Sequence, residues 1–244
     1  MKKIIITGAS GFIGRALIDY LKDKNCKVIP YSSKNGDVNS QKTWDKMQKA
    51  NVVIHLAAMT YVPDSWEHSK KFLSVNSLSL LNAINYCKKN KCRLIFLSSF
   101  IYDNVNENPI KENALKSPQN PYALSKKIAE EICEFYKKVD NLDVIILRPF
   151  NVFGFGQKET FLIPTIINQI LDGEIISIMD IRPRRDYIFI DDLINAIEKS
   201  ILYKGNKYIF NIGSGKSYSV LEVINTLKDL FKTNLSVKCS KKTR

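Results

Sequence analysis

Residues 7–14, Thr7-Gly8-Ala9-Ser10-Gly11-Phe12-Ile13-Gly14, decide the fold of this chain. A β-branched run at residues 3–6 precedes them and apolar residues follow at helical spacing, which predicts a strand, a tight turn and a helix joined with almost no loop. In such a unit Gly8 allows the turn, Gly11 lets the backbone approach a pyrophosphate, and Gly14 lets the helix pack closely on the strand. This context favours a dinucleotide-binding turn over a glycine-rich turn that binds nothing.

The composition is that of an ordinary globular protein. Of the 244 residues, 45% are hydrophobic and 25% are charged, which suits one large domain or a domain with a smaller lobe. No apolar run approaches the roughly 20 residues of a membrane span, and residues 4–6 give way too early to glycine and serine for a signal peptide. The five cysteines form no Cys-x-x-Cys pair, which indicates reduced thiols in a cytoplasmic protein, and the two histidines argue against a metal site.

A net charge of +13 raises the question of nucleic-acid binding. The excess, however, is lysine scattered along amphipathic helices, without an aromatic platform or a basic recognition helix. We therefore expect a solvated, lysine-rich surface, including the basic tail at residues 238–244, and no nucleic-acid partner. Such a surface favours the capture of phosphorylated ligands.

Further apolar runs alternate with helical patterns along the chain. The predicted strands are residues 27–31, 51–56 and 93–97, and the predicted helices between them include residues 41–50 and 73–84. This alternation predicts an α/β fold with a doubly wound parallel sheet of the Rossmann type. His55 lies inside an apolar run, so we interpret it as a packed or hydrogen-bonded residue rather than a catalyst.

The residues after the second predicted strand bear on the choice of dinucleotide. An NAD site usually has an Asp or Glu about 20 residues past the glycines, where it binds the ribose 2′-hydroxyl. This chain has Ser32, Ser33 and Lys34 there, and two hydroxyls with a cation suit the 2′-phosphate of NADP better than a bare diol. A shift of three residues in register would bring Asp37 into the role, so NADP is favoured and NAD stays open.

Tyr122 and Lys126 form the pattern that carries chemistry. Asn120-Pro121 is typical of a helix start, and residues four apart on a helix project from one face. A nearby ammonium and a cofactor ribose lower the pKa of a phenol from about 10 towards working pH, which makes Tyr122 a usable acid/base. Ser98, at the carboxyl end of a predicted strand, can donate a hydrogen bond to the same carbonyl or alkoxide oxygen. A surface Tyr-x-x-x-Lys pair is the alternative, and the upstream serine within a dinucleotide fold argues against it.

An ordered set of motifs resembles the extended short-chain dehydrogenase/reductase family, the group of nucleotide-sugar epimerases, dehydratases and 4-keto-reductases. The resemblance covers nearly the whole chain. Its motifs are Thr-Gly-x-x-Gly-x-x-Gly at residues 7–14, Gly-Asp-Val at 36–38, His-Leu-Ala-Ala at 55–58, the stretch 65–76, Ser-Ser before Ile-Tyr at 98–102, Pro-Tyr-x-x-Ser-Lys at 121–126, Arg-Pro-Phe-Asn-Val-Phe-Gly at 148–154, Arg-Asp-Tyr to Asp-Asp at 185–192 and Asn-Ile-Gly-Ser-Gly at 211–215.

The resemblance implies a catalytic role for several matching residues. Tyr122 is the acid/base, Lys126 holds the nicotinamide ribose, and Asn76 supports the active-site network. Ser98 fits the catalytic Ser/Thr position, and Ser99 takes its place if the loop is one residue shorter.

The same resemblance implies the contacts of cofactor and substrate. Asp37 accepts a hydrogen bond from the adenine amino group. Asn151 and Arg185 contact the diphosphate of a sugar nucleotide, for which the planar fork of arginine is suited, and Ser99 lies on the substrate side. The expected cofactor contacts are Gly8, Ser10, Gly11, Phe12, Ile13, Gly14, Ser32, Ser33, Lys34, Asp37, Val38, Leu56, Ala57, Ala58, Tyr122 and Lys126.

Two departures from the family bear on organisation and function. The dehydratases have Asp-Glu directly after the catalytic threonine, whereas Phe100-Ile101 follow the serines here, so 4,6-dehydratase activity is not expected. Members usually continue beyond the point where this chain stops, at Arg244. By resemblance, residues 1–148 form the dinucleotide-binding domain. Residues 149–244 mostly form a smaller substrate lobe, expected to be truncated, with segments that return to the first domain.

The resemblance therefore implies an enzyme that moves a hydride between a nicotinamide cofactor and C4 of a nucleoside-diphosphate hexose. A 4-epimerase does so twice with retained NAD, whereas a 4-keto-6-deoxysugar reductase does so once with NADPH, and both stay open. A non-catalytic dinucleotide-binding or redox-sensing protein of the same fold is the second hypothesis. Family members commonly pair through a helix bundle that includes the Tyr-Lys helix, so a homodimer is expected.

Overall fold

The computed structural model describes residues 1–102 and 109–240. The chain forms two compact units. The first unit consists of Met1–Pro149 and Asp191–Ile212, and the second unit consists of Phe150–Ile190 and Gly213–Arg244. Residues 241–244 of the basic tail lie outside the described residues. In the described parts of the chain, no helix has both the length and the apolar character that crossing a membrane requires.

Strands and helices alternate along the chain. The strands are β1 (Lys2–Thr7), β2 (Cys26–Tyr31), β3 (Val52–His55), β4 (Arg93–Leu97), β5 (Val144–Pro149), β6 (Asn151–Phe153), β7 (Ile176–Ile178), β8 (Arg184–Phe189), β9 (Ile209–Ile212), β10 (Ser217–Ser219) and β11 (Val237–Cys239). The helices are α1 (Phe12–Leu21), α2 (Gln41–Asp45), α3 (Val62–Glu67), α4 (Ser69–Leu73), α5 (Ser79–Asn90), α6 (Pro121–Asp140), α7 (Leu162–Leu171), α8 (Ile190–Leu202) and α9 (Val220–Phe231), with a π-helical turn (Ser74–Leu78) between α4 and α5.

Six strands of the first unit form one parallel sheet, in the order β2-β1-β3-β4-β5-β9. From β1 the chain proceeds first to β2 on one side and then to β3 on the other, so the strand order reverses between β1 and β3. Open parallel sheets bind ligands at the carboxyl ends of the strands where the order reverses. The predicted doubly wound parallel sheet is confirmed.

The central residues of β1 and β3 are continuously apolar because both faces of the sheet are covered there. The residues of β1 and β3 at positions 4–6 and 52–54 are at most 2% exposed. On one face, Ile5 and Val53 share an apolar cluster with Leu80 of α5 and Ala129 of α6. Such burial on both sides explains why these runs lack the alternation of a half-exposed strand.

Two predicted helices differ from the structure. The helix expected at residues 41–50 ends at Asp45, where the Met47 N–H bonds to the Trp44 carbonyl three residues back and Met47 packs in the core. The helix expected at residues 73–84 is interrupted at its start by the π-helical turn, Ser74–Leu78. Turns of this kind are frequent at functional sites, because they redirect side chains that a regular helix would place elsewhere.

The second unit contains two small sheets. In one, β6 pairs with β8 in parallel and β10 pairs with β8 in the antiparallel sense, and in the other β7 and β11 are parallel. Its apolar core includes Ile166 of α7, Ile176 of β7 and Ile224 of α9. α9 begins with a capping box in which the Ser219 and Glu222 side chains satisfy each other's backbone N–H groups.

Candidate active site

The turn between β1 and α1 needs glycine at two positions for different reasons. Gly8 has a φ of +69°, and a Cβ there would lie 2.8 Å from the backbone nitrogen of Ala57. A Cβ on Gly14 would lie 2.3 Å from the carbonyl oxygen of Gly8. The predicted roles of Gly8 in the turn and of Gly14 in close packing are confirmed, and the approach of Gly11 to a pyrophosphate stays a prediction.

Within the described residues, no side chain caps the N-terminus of α1, and its first turn holds no acidic residue. The first backbone N–H groups of a helix have no intrahelical acceptor and attract anions. Ser10 and Gly11 are exposed at this end, and Phe12 and Ile13 are half-buried. The turn and the start of α1 therefore fit the pyrophosphate of a dinucleotide.

The loop after β3, at residues 56–58, is tied to the end of β1. The Ala57 N–H donates to Thr7 Oγ1 at 3.3 Å, and the same hydroxyl shares a hydrogen bond with His55 Nδ1 at 3.0 Å. Burial lowers the pKa of His55 to about 3, and the charge of Lys126 lowers it further in the same direction. His55 is thus a neutral, hydrogen-bonded residue, as predicted from its place in an apolar run.

The loop after β2 holds both sets of residues expected to distinguish NADP from NAD. Ser32 Oγ donates to Asn35 Oδ1 at 3.0 Å and accepts from the Lys34 N–H at 3.3 Å, so this hydroxyl is engaged within the turn. Ser33, Lys34 and Asp37 are exposed. A hydroxyl, a cation and a carboxylate are therefore all open to solvent on the same loop.

The start of α6 positions Tyr122. Asn120 Oδ1 accepts the Ala123 N–H at 2.8 Å, and Pro121 occupies the first turn, as the sequence predicts. Tyr122 and Lys126 lie one turn apart, so their side chains leave the same face of the helix.

Lys126 is a buried amine at the carboxyl end of the sheet. Its side chain is 4% exposed, its Nζ donates to the Leu97 carbonyl oxygen at 2.8 Å, and it lies 5.1 Å from the centre of the Phe96 ring. Burial lowers the pKa of Lys126 to about 8, and the nearby charge of Glu130 raises it. The Lys126 side chain is therefore a charged ammonium below about pH 8 and a neutral amine above it.

Two serines follow β4, and one of them meets the tyrosine. Burial raises the pKa of Tyr122, whereas a hydrogen bond with the Ser99 side chain lowers it. Ser98 is 3% exposed, and its hydroxyl has no hydrogen-bond partner in the part of the chain that the structure describes. The structure thus brings Ser99, the alternative position, together with Tyr122.

Asn76 connects the loop after β3 to the helix that carries Tyr122. Its Oδ1 accepts the Met59 N–H at 2.8 Å, and its Nδ2 donates to the Met59 carbonyl at 2.9 Å and to Ser125 Oγ at 3.0 Å. Ser125 Oγ in turn donates to the Tyr122 carbonyl at 2.7 Å, and Ser77 Oγ donates to the Ser125 carbonyl at 2.8 Å. The π-helical turn that holds Asn76 and Ser77 therefore braces the first turns of α6.

The two residues expected at a substrate diphosphate, Asn151 and Arg185, lie in the second unit. Asn151 Nδ2 donates to the Asp186 carbonyl at 3.0 Å, and Arg185 is exposed beside it on β8. The Asp186 carboxylate accepts the N–H groups of Ser214 and Gly215, each at 2.8 Å. Asp186 thereby anchors the loop after β9 beside the strand that carries Arg185.

Sequence reasoning did not single out three residues of these networks. Asp186 follows Arg185 directly within a recognised motif, and that adjacency was an available signal. Glu130 and Arg148 form a fully buried ion pair. The available signals were the spacing of Glu130 four residues after Lys126 and the place of Arg148 at the start of a recognised motif.

A Rossmann-type sheet whose carboxyl edge carries a tyrosine–lysine pair defines the class of nicotinamide-dependent enzymes that move a hydride to or from a carbon bearing a hydroxyl group. Within that class, the chain belongs to the NAD dependent epimerase/dehydratase family, which matches residues 4–213.

Individual relatives include both reductases and epimerases. The GDP-6-deoxy-D-mannose reductase of Pseudomonas aeruginosa is 29% identical over 250 residues, covering 97% of this chain and 82% of that protein. The UDP-glucose 4-epimerase of Lactobacillus helveticus is 29% identical over 268 residues, covering 93% of this chain and 81% of that protein. The solved structure of RMD from Pseudomonas aeruginosa complexed with NADPH matches with a TM-score of 0.89 and 27% identity, over 98% of this chain and 87% of that chain.

Proposed function

We propose that this protein transfers a hydride between a nicotinamide cofactor and C4 of a nucleoside-diphosphate hexose. The observation that carries the proposal is the place of Tyr122 on α6 one helical turn from Lys126, whose buried amine donates to the Leu97 carbonyl at the end of β4, directly before Ser98 and Ser99. Two hydroxyl groups beside a cation suit an oxygen that alternates between carbonyl and alcohol. The relatives named for nucleotide sugars support the substrate class.

Each residue has a separate task in this chemistry. Tyr122 passes a proton to or from the oxygen on C4, and Ser99 donates a hydrogen bond to that oxygen. Burial raises the pKa of Tyr122. The Lys126 ammonium acts in the opposite direction, because a nearby positive charge favours the phenolate. When bound, the dinucleotide supplies or accepts the hydride. Its pyrophosphate would be held at residues 8–14 and its nicotinamide ribose by Lys126.

The substrate's diphosphate is assigned to Asn151 and Arg185. An exposed guanidinium can bind phosphate oxygens in a bidentate manner, and an amide side chain adds a directional donor. Asn76 has no direct contact with reactants in this proposal. It holds α6 in place through Ser125, so that the Tyr122 phenol keeps its position relative to the serines.

Alanine substitutions should distinguish the two serines. Ser99→Ala removes the hydroxyl that contacts Tyr122, so we expect kcat to fall by about 100-fold, the usual effect of losing one donor to a developing alkoxide. Ser98→Ala should produce the smaller loss. The measurement is steady-state turnover of the two variants with NADPH and a 4-keto-6-deoxysugar nucleotide. A larger loss in Ser98→Ala would assign the catalytic position to Ser98 instead.

The first candidate for the reaction is reduction of a 4-keto-6-deoxysugar nucleotide with NADPH. The exposed Ser33 and Lys34 suit a 2′-phosphate, and the Pseudomonas aeruginosa reductase supports the reaction type. The second candidate is 4-epimerisation with retained NAD, favoured by the exposed carboxylate of Asp37 on the same loop and by the Lactobacillus helveticus epimerase.

Mass spectrometry of the small molecules released on denaturing freshly purified protein separates these candidates. Near-stoichiometric NAD supports the epimerase, because a self-regenerating cofactor is retained. NADP, or an empty site that prefers NADPH to NADH, supports the reductase. Failure to bind either dinucleotide would contradict both and with them the assignment of the glycine turn.

A preference for NADPH also predicts the effect of substituting one lysine, Lys34. Lys34→Ala should weaken NADPH binding by about tenfold and leave NADH binding unchanged, because only NADPH carries the 2′-phosphate that the ammonium would pair with. The measurement is fluorescence titration with each dinucleotide. Lys27→Ala, at an exposed position of β2, is the matched control and should change neither affinity. Equal weakening of both dinucleotides by Lys34→Ala would contradict the NADP preference.

We also propose a cytoplasmic homodimer that binds no nucleic acid. α6 exposes Leu124, Phe135 and Val139, of which Phe135 is 60% and Val139 59% exposed, and the family resemblance places this helix in a dimer bundle. Light scattering coupled to size-exclusion chromatography tests the proposal, and a monomer at micromolar concentration would contradict it.

A further inference from the structure

A buried ion pair between Glu130 and Arg148 has no part in the chemistry proposed above. Glu130 on α6 is 0% exposed and Arg148 on β5 is 1% exposed. The guanidinium donates from Nε to Glu130 Oε1 at 2.8 Å and from Nη2 to Oε2 at 2.6 Å. Taking two charges out of water costs free energy, and apolar residues of the same volume often stabilise a fold equally well. Stability alone therefore does not account for this pair.

Glu130 lies on the same face of α6 as the proposed catalytic residues. Tyr122, Lys126 and Glu130 follow one another at intervals of four residues, the spacing that places helical side chains one above the other. Lys126 is almost fully buried, and burial disfavours its charged form. Among the described residues, Glu130 is the group whose charge opposes this effect. The Leu97 carbonyl that accepts from Lys126 is uncharged, and His55 is neutral above about pH 3.

Arg148 fixes Glu130 in this position. Its Nη1 also donates to the Tyr102 hydroxyl and to the Glu112 carbonyl oxygen, the latter at 2.8 Å. Lys116 Nζ lies 3.6 Å from Glu130 Oε2. Because both carboxylate oxygens accept from the guanidinium, the Glu130 side chain is fixed one helical turn beyond Lys126.

We propose that Glu130 is a positioning residue of the active site: held by Arg148, its carboxylate keeps the Lys126 ammonium charged at working pH. The role of Glu130 in catalysis rests on the proposed function, in which the charged Lys126 side chain favours the Tyr122 phenolate and holds the ribose. Because the pKa of Lys126 is lowered to about 8, the amine is charged below that pH and neutral above it. Removing the Glu130 charge extends the neutral range to lower pH, so turnover is lost first on the alkaline side.

Carbon-13 NMR of the full chain, labelled at the lysine Cε, measures the titration of Lys126 directly. The Lys126→Met variant assigns the resonance. We expect a midpoint of about pH 8 in the unaltered protein. In Glu130→Gln we expect it lower by about 1 pH unit, which is about a tenfold loss of the charged fraction above the midpoint.

Glu131→Gln is the matched control for this titration. It removes the same charge from the next residue of α6, where the side chain is 54% exposed and pairs with Lys127 at 4.0 Å. A solvent-screened charge of this kind has little effect on a buried amine, so the midpoint should stay at its original value. The alkaline limb of the kcat profile should likewise move to lower pH in Glu130→Gln and stay in place in Glu131→Gln.

Glu130→Gln leaves Arg148 buried without its partner, so a double variant provides a second test. Glu130→Gln combined with Arg148→Met removes both charges together. A lowered Lys126 midpoint in either folded variant supports the proposal. An unchanged midpoint in every variant that folds, with only thermal stability altered, overturns it and leaves a purely structural ion pair.

Turnover of the unaltered protein separates this inference from the proposed function. If no nucleotide sugar is converted while the Lys126 midpoint still depends on Glu130, the proposed function fails and the coupling of the two residues stands. If turnover is present and the midpoint does not depend on Glu130, the inference fails alone.

Discussion

Replacing Tyr122 with phenylalanine should lower kcat by about 100- to 10,000-fold while NADPH still binds. The substitution removes only the phenol oxygen, which is the group that exchanges the proton with the sugar hydroxyl. It keeps the ring, which packs edge-on against Phe72 with the ring centres 6.4 Å apart. Turnover is followed by the absorbance of the reduced nicotinamide, and binding by its fluorescence on titration into the protein.

Tyr136→Phe is the matched control for this substitution. Tyr136 lies further along α6, where its ring packs against Phe135 with the centres 5.3 Å apart, so the same oxygen is removed from the same helix away from the serines. Its kcat should equal that of the unaltered protein. Full turnover in Tyr122→Phe would contradict the catalytic assignment. If the unaltered protein bound the dinucleotide normally but converted no nucleotide sugar, the sensor hypothesis would replace the enzyme.

The second large effect is expected from Gly14→Ala, which should destabilise the fold by about 3 kcal/mol and abolish dinucleotide binding. The added Cβ would lie 2.3 Å from the Gly8 carbonyl oxygen and 2.9 Å from Ala9 Cα. Both neighbours are backbone atoms, so α1 must move away from the turn. That movement also displaces the N–H groups that fit a pyrophosphate. Urea unfolding and NADPH titration measure the two effects.

Gly173→Ala and Gly11→Ala separate the causes of this effect. Gly173 has a φ of +71° and nothing within 4 Å of an added Cβ, so its substitution should cost only about 1 kcal/mol of backbone strain and leave binding intact. On Gly11 the Cβ would lie 3.1 Å from the Gly8 carbonyl oxygen, a smaller overlap, so we expect lost binding with a milder loss of stability. A Gly14→Ala protein with normal unfolding and binding would contradict the packing argument.

The sequence by itself determined the elements whose form depends on neighbouring residues. The apolar runs predicted strands β1 to β4 within one residue of their observed ends. The glycines at positions 8 and 14 predicted the turn, because backbone conformation and close packing exclude a side chain at both positions. Asn120-Pro121 predicted the start of α6, because capping is a local hydrogen bond. Family membership, and with it the class of chemistry, was also evident from the order of the motifs.

Only the tertiary structure decided which polar side chains meet. Ser98 and Ser99 are adjacent and chemically identical, and the rotation of the loop after β4 brings one of them to Tyr122. The Asn76–Ser125 contact spans 49 residues and the Glu130–Arg148 contact spans 18. Periodicity in a sequence reports the local form of a helix or strand. Contacts between elements depend on the rotation and register of each whole element, which are set when the complete core packs.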